Sequence, residues 1–134
     1  MDSFDADVLI YAGRGDPRGE AVLALFDRAE EVIGVGSTLL IPELLVKPIR
    51  VHDNEEREAL VSLLGRLELI ATDRRIADLA VTVGVKYGLK ALDAVHLATA
   101  ISTGADRFIT NNRRDFDAVA IDEIDVVRPD QLVW

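Results

Sequence analysis

Apolar residues recur at helical spacing along several stretches of the chain. Val22, Leu25, Phe26 and Ala29 follow the i, i+3, i+4, i+7 pattern, and Asp16-Pro17 ahead of them supplies a cap and a first-turn proline. Leu60, Leu63, Leu64 and Leu67 repeat the pattern, as do Ile76, Leu79, Ala80 and Val83. A further helix is expected from about Leu92 to Ser102, ending on Gly104 as a left-handed C-cap. Between these lie apolar runs of strand length at 32–35, 67–71, 107–110 and 124–127. Residues 3–5 add a brief first strand, with Val8 to Ala12 opening a helix, and 51–58 reads as a loop entering a helix. Short strands alternating with helices predict an α/β sandwich around a mainly parallel sheet. The expected unit is one domain over residues 1–134.

Composition supports this picture and narrows the chemistry. Apolar residues make up 49% of the chain, enough for a sizeable core. No run reaches the roughly 18 apolar residues of a membrane span, and no basic stretch followed by an apolar one marks a signal peptide. No membrane association and a cytoplasmic location are therefore expected. With no cysteine, disulfides and thiolate metal sites are excluded. The formal charge of −9 argues against a broad phosphate-binding surface. Basic residues nonetheless gather locally, at Lys47/Arg50, Arg74/Arg75, Lys86/Lys90 and Arg113/Arg114.

The acids fall where such a fold places its chemistry, since open parallel sheets bind ligands beyond the carboxyl ends of their strands. Asp5 ends the first expected strand, Glu43 follows the second near a helix start, and Asp93 opens the helix LDAVHLATA. Asn112 and Asp115 follow the strand RFIT. Converging carboxylates repel one another and need a cation. All-oxygen ligation favours Mg²⁺ or Mn²⁺ over zinc, and hydrolysis of a phosphate ester is the chemistry suggested. Each acid also has a plainer reading. Asp7 is a candidate N-cap of the first helix, and Asp93 suits its helix dipole. His96, one turn after Asp93, is a candidate ligand but more often such a residue is a partly buried histidine with a hydrogen-bond partner.

FDADVLIYA, the Glu of IPELLVKP and LDAVHLATAISTGADRFITNNRRDF, in this order and spacing, resemble the PIN-domain ribonucleases, most closely VapC-type toxins of toxin–antitoxin pairs. The resemblance implies a three-layer α/β/α sandwich, a Mg²⁺-dependent endoribonuclease acting on RNA, a homodimer and inhibition by a cognate VapB-like antitoxin. It assigns Asp5, Glu43 and Asp93 to the catalytic acids, with Asp5 and Asp93 as metal ligands. The fourth contributor is Asp115, Asn112 or both, Asn112 standing where many relatives carry Asp. Asp7 departs from the pattern and adds negative charge near the site. Arg113 and Arg114, with Lys90, are candidates for guiding the RNA backbone.

The same residues are open to three other readings. DADVL partly imitates the Asp-x-Asp motif of haloacid-dehalogenase-like phosphatases, but the rest of that motif set is not evident. A receiver-like signalling module would need a lysine closing a late strand, which RFITNN does not offer. A degenerate PIN domain serving only as a binding module would take Asn112 as its first sign of decay.

Overall fold

The computed structural model describes residues 1–28, 30–112, 116 and 121–132. Five short strands form one sheet: β1 (Asp2–Phe4), β2 (Gly34–Ser37), β3 (Leu67–Ile70), β4 (Arg107–Ile109) and β5 (Asp125–Val127). Their order is β3-β2-β1-β4-β5, and every neighbouring pair is parallel. The chain starts at the sheet's centre, winds outward through β2 and β3, then returns to the other side of β1. The strand order therefore reverses at β1, and the crevice between β1 and β4 is the switch point where such sheets bind ligands.

Helices cover both faces, giving three α/β/α layers. On one side lie α1 (Ala6–Gly13), α2 (Glu20–Phe26), α3 (Leu40–Arg50) and α4 (Asn54–Leu64); on the other α5 (Arg74–Tyr87) and α6 (Ala91–Ser102). Period-2 alternation along β4 sends Phe108 to the α5–α6 core and Ile109 to the α1–α4 core. Phe4 meets Phe26 at 5.5 Å between ring centroids in one core, and Phe108 meets Phe116 at 5.6 Å in the other.

Several boundaries differ from the sequence expectation, each for a physical reason. The first strand is Asp2–Phe4 and not 3–5, because Asp5 turns out of the sheet to cap α1, which begins at Ala6 and not Val8. The second strand is Gly34–Ser37 and not 32–35. Val32 stays exposed, and Gly34 is required in the strand since a Cβ there would come within 2.6 Å of the Asp2 carbonyl oxygen and the Phe4 ring. Leu67 belongs to β3, not to the helical repeat of Leu60–Leu64. Asp16 and Pro17 open a 3₁₀ turn (Pro17–Gly19) that runs into α2, and Ala29, the last position of that repeat, lies outside the described residues. The loop at 51–58 is only three residues long before α4, whose N-cap is Asp53. Gly104 does take the expected left-handed conformation, with φ +71°.

Candidate active site

Asp5, Asp7, Glu43, Asp93, Asn111 and Asn112 line one open cavity of about 500 Å³, together with Ala6, Ile10 and Tyr11. It lies at the carboxyl ends of β1 and β4, the switch point of the sheet. Four segments distant in sequence thus converge as the acids' placement predicted.

Asp5 is the deepest of them, 5% exposed. Its backbone is extended at φ −79°, ψ 161°, and its amide donates to the Ile109 carbonyl at 2.9 Å, continuing the β1–β4 ladder. One carboxylate oxygen accepts from the Ala6 amide at 2.8 Å, so Asp5 and not Asp7 is the N-cap of α1. The other accepts from the Thr110 hydroxyl, also at 2.8 Å. Thr110 in turn accepts from the Asn112 amide at 3.0 Å, tying the loop after β4 to the acid. These donors lower the Asp5 pKa, as does nearby His96, but burial outweighs them and raises it above the ordinary carboxylate value.

Asp7 sits in the first turn of α1 and accepts from the Asn111 amide at 3.2 and 3.3 Å. Burial, then the charge of Asp5 and more weakly that of Asp93, push its pKa up to about 7. Two carboxylates two residues apart are therefore both held against their ionised forms. Positive charge brought to such a pair favours its ionised form.

Glu43 stands in the first turn of α3, where Ser37 accepts from the Leu39 amide at 3.1 Å and shapes the turn into the helix. Its carboxylate pairs with Nε2 of His96. His96 is 2% exposed on α6, and its Nδ1 has no hydrogen-bond partner among the described residues. Burial is the largest influence on its pKa and pulls it down, but Glu43, Asp5 and Asp93 together overcome this and raise it. His96 is thus the buried histidine with a partner, not an open ligand, and it brings positive character behind the acids. Asp93, in the first turn of α6, accepts from the Asn112 side-chain amide at 3.4 Å. Asp115, Arg113 and Arg114 lie outside the described residues.

Sequence reasoning missed Thr110 and the link from His96 to Glu43. A buried threonine closing a strand carries little signal of its own, and the Glu43–His96 pair spans 53 residues.

Among the described residues no three carboxylate or imidazole groups are gathered closely enough to enclose an ion. The donor set still suits a hard cation. It is all oxygen, and each Asp5 oxygen spends one hydrogen bond and keeps a free lone pair. Mg²⁺ is ordinarily held by one or two carboxylates with water and substrate completing its shell, so a closed cage is not required.

The fold has counterparts among solved structures. A toxin–antitoxin complex from Klebsiella pneumoniae contains a chain 26% identical, with 96% of this chain and 98% of that one covered at a TM-score of 0.76. DNA-bound VapBC from Salmonella typhimurium matches at 18% identity over 96% and 98%, also with a TM-score of 0.76. FitAcB from Neisseria gonorrhoeae matches at 22% identity over 98% and 100%, with a TM-score of 0.65. Comparison with curated protein sequences returns no match. The sequence profile of the PIN domain matches residues 4–122, which run from the last residue of β1, just before Asp5, to beyond β4. The chain belongs to the PIN domain family.

Proposed function

We propose that the protein is a Mg²⁺-dependent endoribonuclease and the toxin of a VapBC-type pair. The observation that carries this reading is Asp5: a buried acid at the switch point, supplied with neutral hydrogen-bond donors and, among the described residues, no paired arginine or lysine, in a cavity shared with Glu43 and Asp93. The likeness to toxin–antitoxin complexes supports the biological setting.

Asp5 and Asp93 would hold Mg²⁺ or Mn²⁺, which, when bound, lowers the pKa of a coordinated water and offsets charge at the phosphorus. Ala6 and Thr110 fix the Asp5 carboxylate before any ligand arrives. His96 holds Glu43 at the cavity wall, where it orients the attacking water. Asn112 or Asp115 completes the set, and Arg113 and Arg114 guide the RNA backbone. A homodimer in the cytoplasm is the expected working form.

An acidic cavity on a protein of charge −9 also suits an arginine from an antitoxin, whose guanidinium pairs bidentately with carboxylates and competes with the metal. Replacing every antitoxin arginine and lysine near Asp5 and Asp93 is expected to relieve inhibition; unchanged inhibition would place the block elsewhere. The test of the activity is cleavage of single-stranded RNA in Mg²⁺ or Mn²⁺, stopped by EDTA and restored by excess metal. Cleavage that persists undiminished in chelator would sink the metal mechanism.

A further inference from the structure

One wall of the cavity is not acidic. Tyr11 lies on α1 one turn beyond Asp7, roughly 6 Å along the helix axis, and lines the same cavity. The guanidinium of Arg18 stacks over its ring, 3.9 Å from the centroid. Asp16 grips the same guanidinium, accepting from Nε at 3.0 Å and from Nη2 at 2.8 Å. One face of the guanidinium is therefore spent on Tyr11 and one edge on Asp16. Among the described residues Nη1 has no partner, and the side chain is 59% exposed.

The turn that carries Arg18 does not depend on this stack. Asp16 caps it through the Arg18 amide at 2.9 Å, Gly19 donates to the Asp16 carbonyl at 2.8 Å, and Asp16 donates to the Tyr11 carbonyl at 3.0 Å. Gly19 lies so close to α1 that a Cβ would come 2.3 Å from the Ala12 nitrogen. The backbone alone locks the turn to the helix. The stack then leaves a planar, oriented arginine beside the catalytic cavity with an open face and an unused donor edge.

Resting on the nuclease reading above, we infer that the Tyr11–Arg18 tier is a nucleobase subsite, on which the base next to the scissile phosphate of a single-stranded RNA stacks. Aromatic and guanidinium faces are the sequence-tolerant platforms of single-strand binding. Asp16 already neutralises Arg18, so the tier offers a stacking face and a hydrogen-bond donor more than net positive charge. An acidic protein can in this way hold an RNA beside a carboxylate cavity without a basic groove.

The experiment uses a fluorescent mixed-sequence RNA 12-mer. Steady-state cleavage is measured in Mg²⁺, and binding by anisotropy in an Asp5→Asn background. Tyr11→Leu and Arg18→Gln are each expected to raise KM and weaken binding roughly ten-fold, with kcat within about two-fold and melting temperature unchanged. Tyr11→Phe, which keeps the ring, is expected to bind RNA more tightly and with a lower KM than Tyr11→Leu. The slope of log affinity against log salt should be the same with and without Arg18; a fall of about 0.7 would mean a phosphate contact and overturn base stacking. Two further results overturn the inference: unchanged KM and affinity in both variants, or a lowered melting temperature with kcat and KM drifting together, as a mere fastening of the turn would give. If the wild type cleaves and the variants equal it, only the subsite fails. A folded wild type that neither binds nor cleaves RNA in Mg²⁺ removes the nuclease reading and the subsite with it.

Discussion

Asp2 and Asp5 occupy the two ends of one three-residue strand and its cap, and both are buried, at 8% and 5% exposure. Their partners differ in kind. Asp2 receives a bidentate pair from Arg107 on the neighbouring strand, with both distances 2.9 Å. Asp5 receives a backbone amide and a hydroxyl, and burial holds its pKa up. A carboxylate taken out of water with its own arginine is a structural element. One taken out of water with neutral hydrogen-bond donors, and only a histidine nearby, keeps a charge deficit that a cation can fill. Among the described residues, the buried acid at the amino end of the sheet has its own arginine, and the buried acid at the carboxyl end has no arginine or lysine paired to it.

The largest expected effect follows directly. Asp5→Asn keeps the size of the side chain and a cap-competent oxygen, so the fold should survive. RNA cleavage should fall roughly 100-fold or more, about 2.7 kcal/mol of transition-state stabilisation. Asp2→Asn should do the reverse. It leaves Arg107 without its carboxylate and should cost roughly 2 kcal/mol of stability, below the range for a fully buried pair because Arg107 is a quarter exposed. Cleavage per folded molecule should stay at the wild-type rate. Chemical denaturation and an RNA cleavage assay on the same two variants separate these outcomes; matching profiles would erase the distinction between the strand's ends. Asp93→Asn and Glu43→Gln should follow Asp5→Asn.

The next effect sharpens the claim of a charge deficit. Asp7 has its folded pKa raised from 3.8 to about 7. Between those values the folded state binds more protons than the unfolded chain, so this group's contribution to stability falls as pH rises from about 4 to beyond 7. In chelator, Asp7→Asn should therefore be more stable than the wild type at pH 8, by up to about 4 kcal/mol, and equal to it near pH 4. Saturating Mg²⁺ should shrink the gap. A difference between the two proteins that does not change with pH would contradict the electrostatic cause.

Smaller effects concern the acids' supports. His96→Gln retains a nitrogen able to meet Glu43, while His96→Leu does not. Cleavage should fall roughly ten-fold in the second and less in the first; equal losses would mean that packing alone matters. Asn112 is already neutral, so Asn112→Ala should cost less than any acid above. Asp115→Asn decides between two site compositions: a loss like that of Asp5→Asn makes it the fourth acid, and a wild-type rate leaves three.

What could be read from the chain follows the range of each signal. The helical repeats at Val22, Leu60 and Ile76 are local, and so is the capping chemistry of Asp16 and Gly104. The convergence of Asp5, Glu43 and Asp93 on one cavity was legible because a parallel sheet sends all its strand ends to one edge. The strand at Gly34–Ser37 was blurred because two of its four residues are glycine, so its burial leaves no apolar pattern. Long-range partners left no trace at all. Arg66 donates to the carbonyls of Phe26, Arg28, Glu30 and Glu31, binding a whole connection through one side chain, and nothing near Arg66 in sequence announces it. Thr110 and His96 belong to the same class, since their roles exist only once Asp5 and Glu43 are brought to them.

The measurement that bears most directly on the cation deficit at the sheet's carboxyl end is calorimetric titration of Mg²⁺ into wild-type, Asp2→Asn and Asp5→Asn proteins, each shown to be folded. Wild-type and Asp2→Asn should bind the ion alike, and Asp5→Asn should lose most of that affinity. Equal Mg²⁺ binding by Asp5→Asn, or its loss in Asp2→Asn alone, would contradict the account.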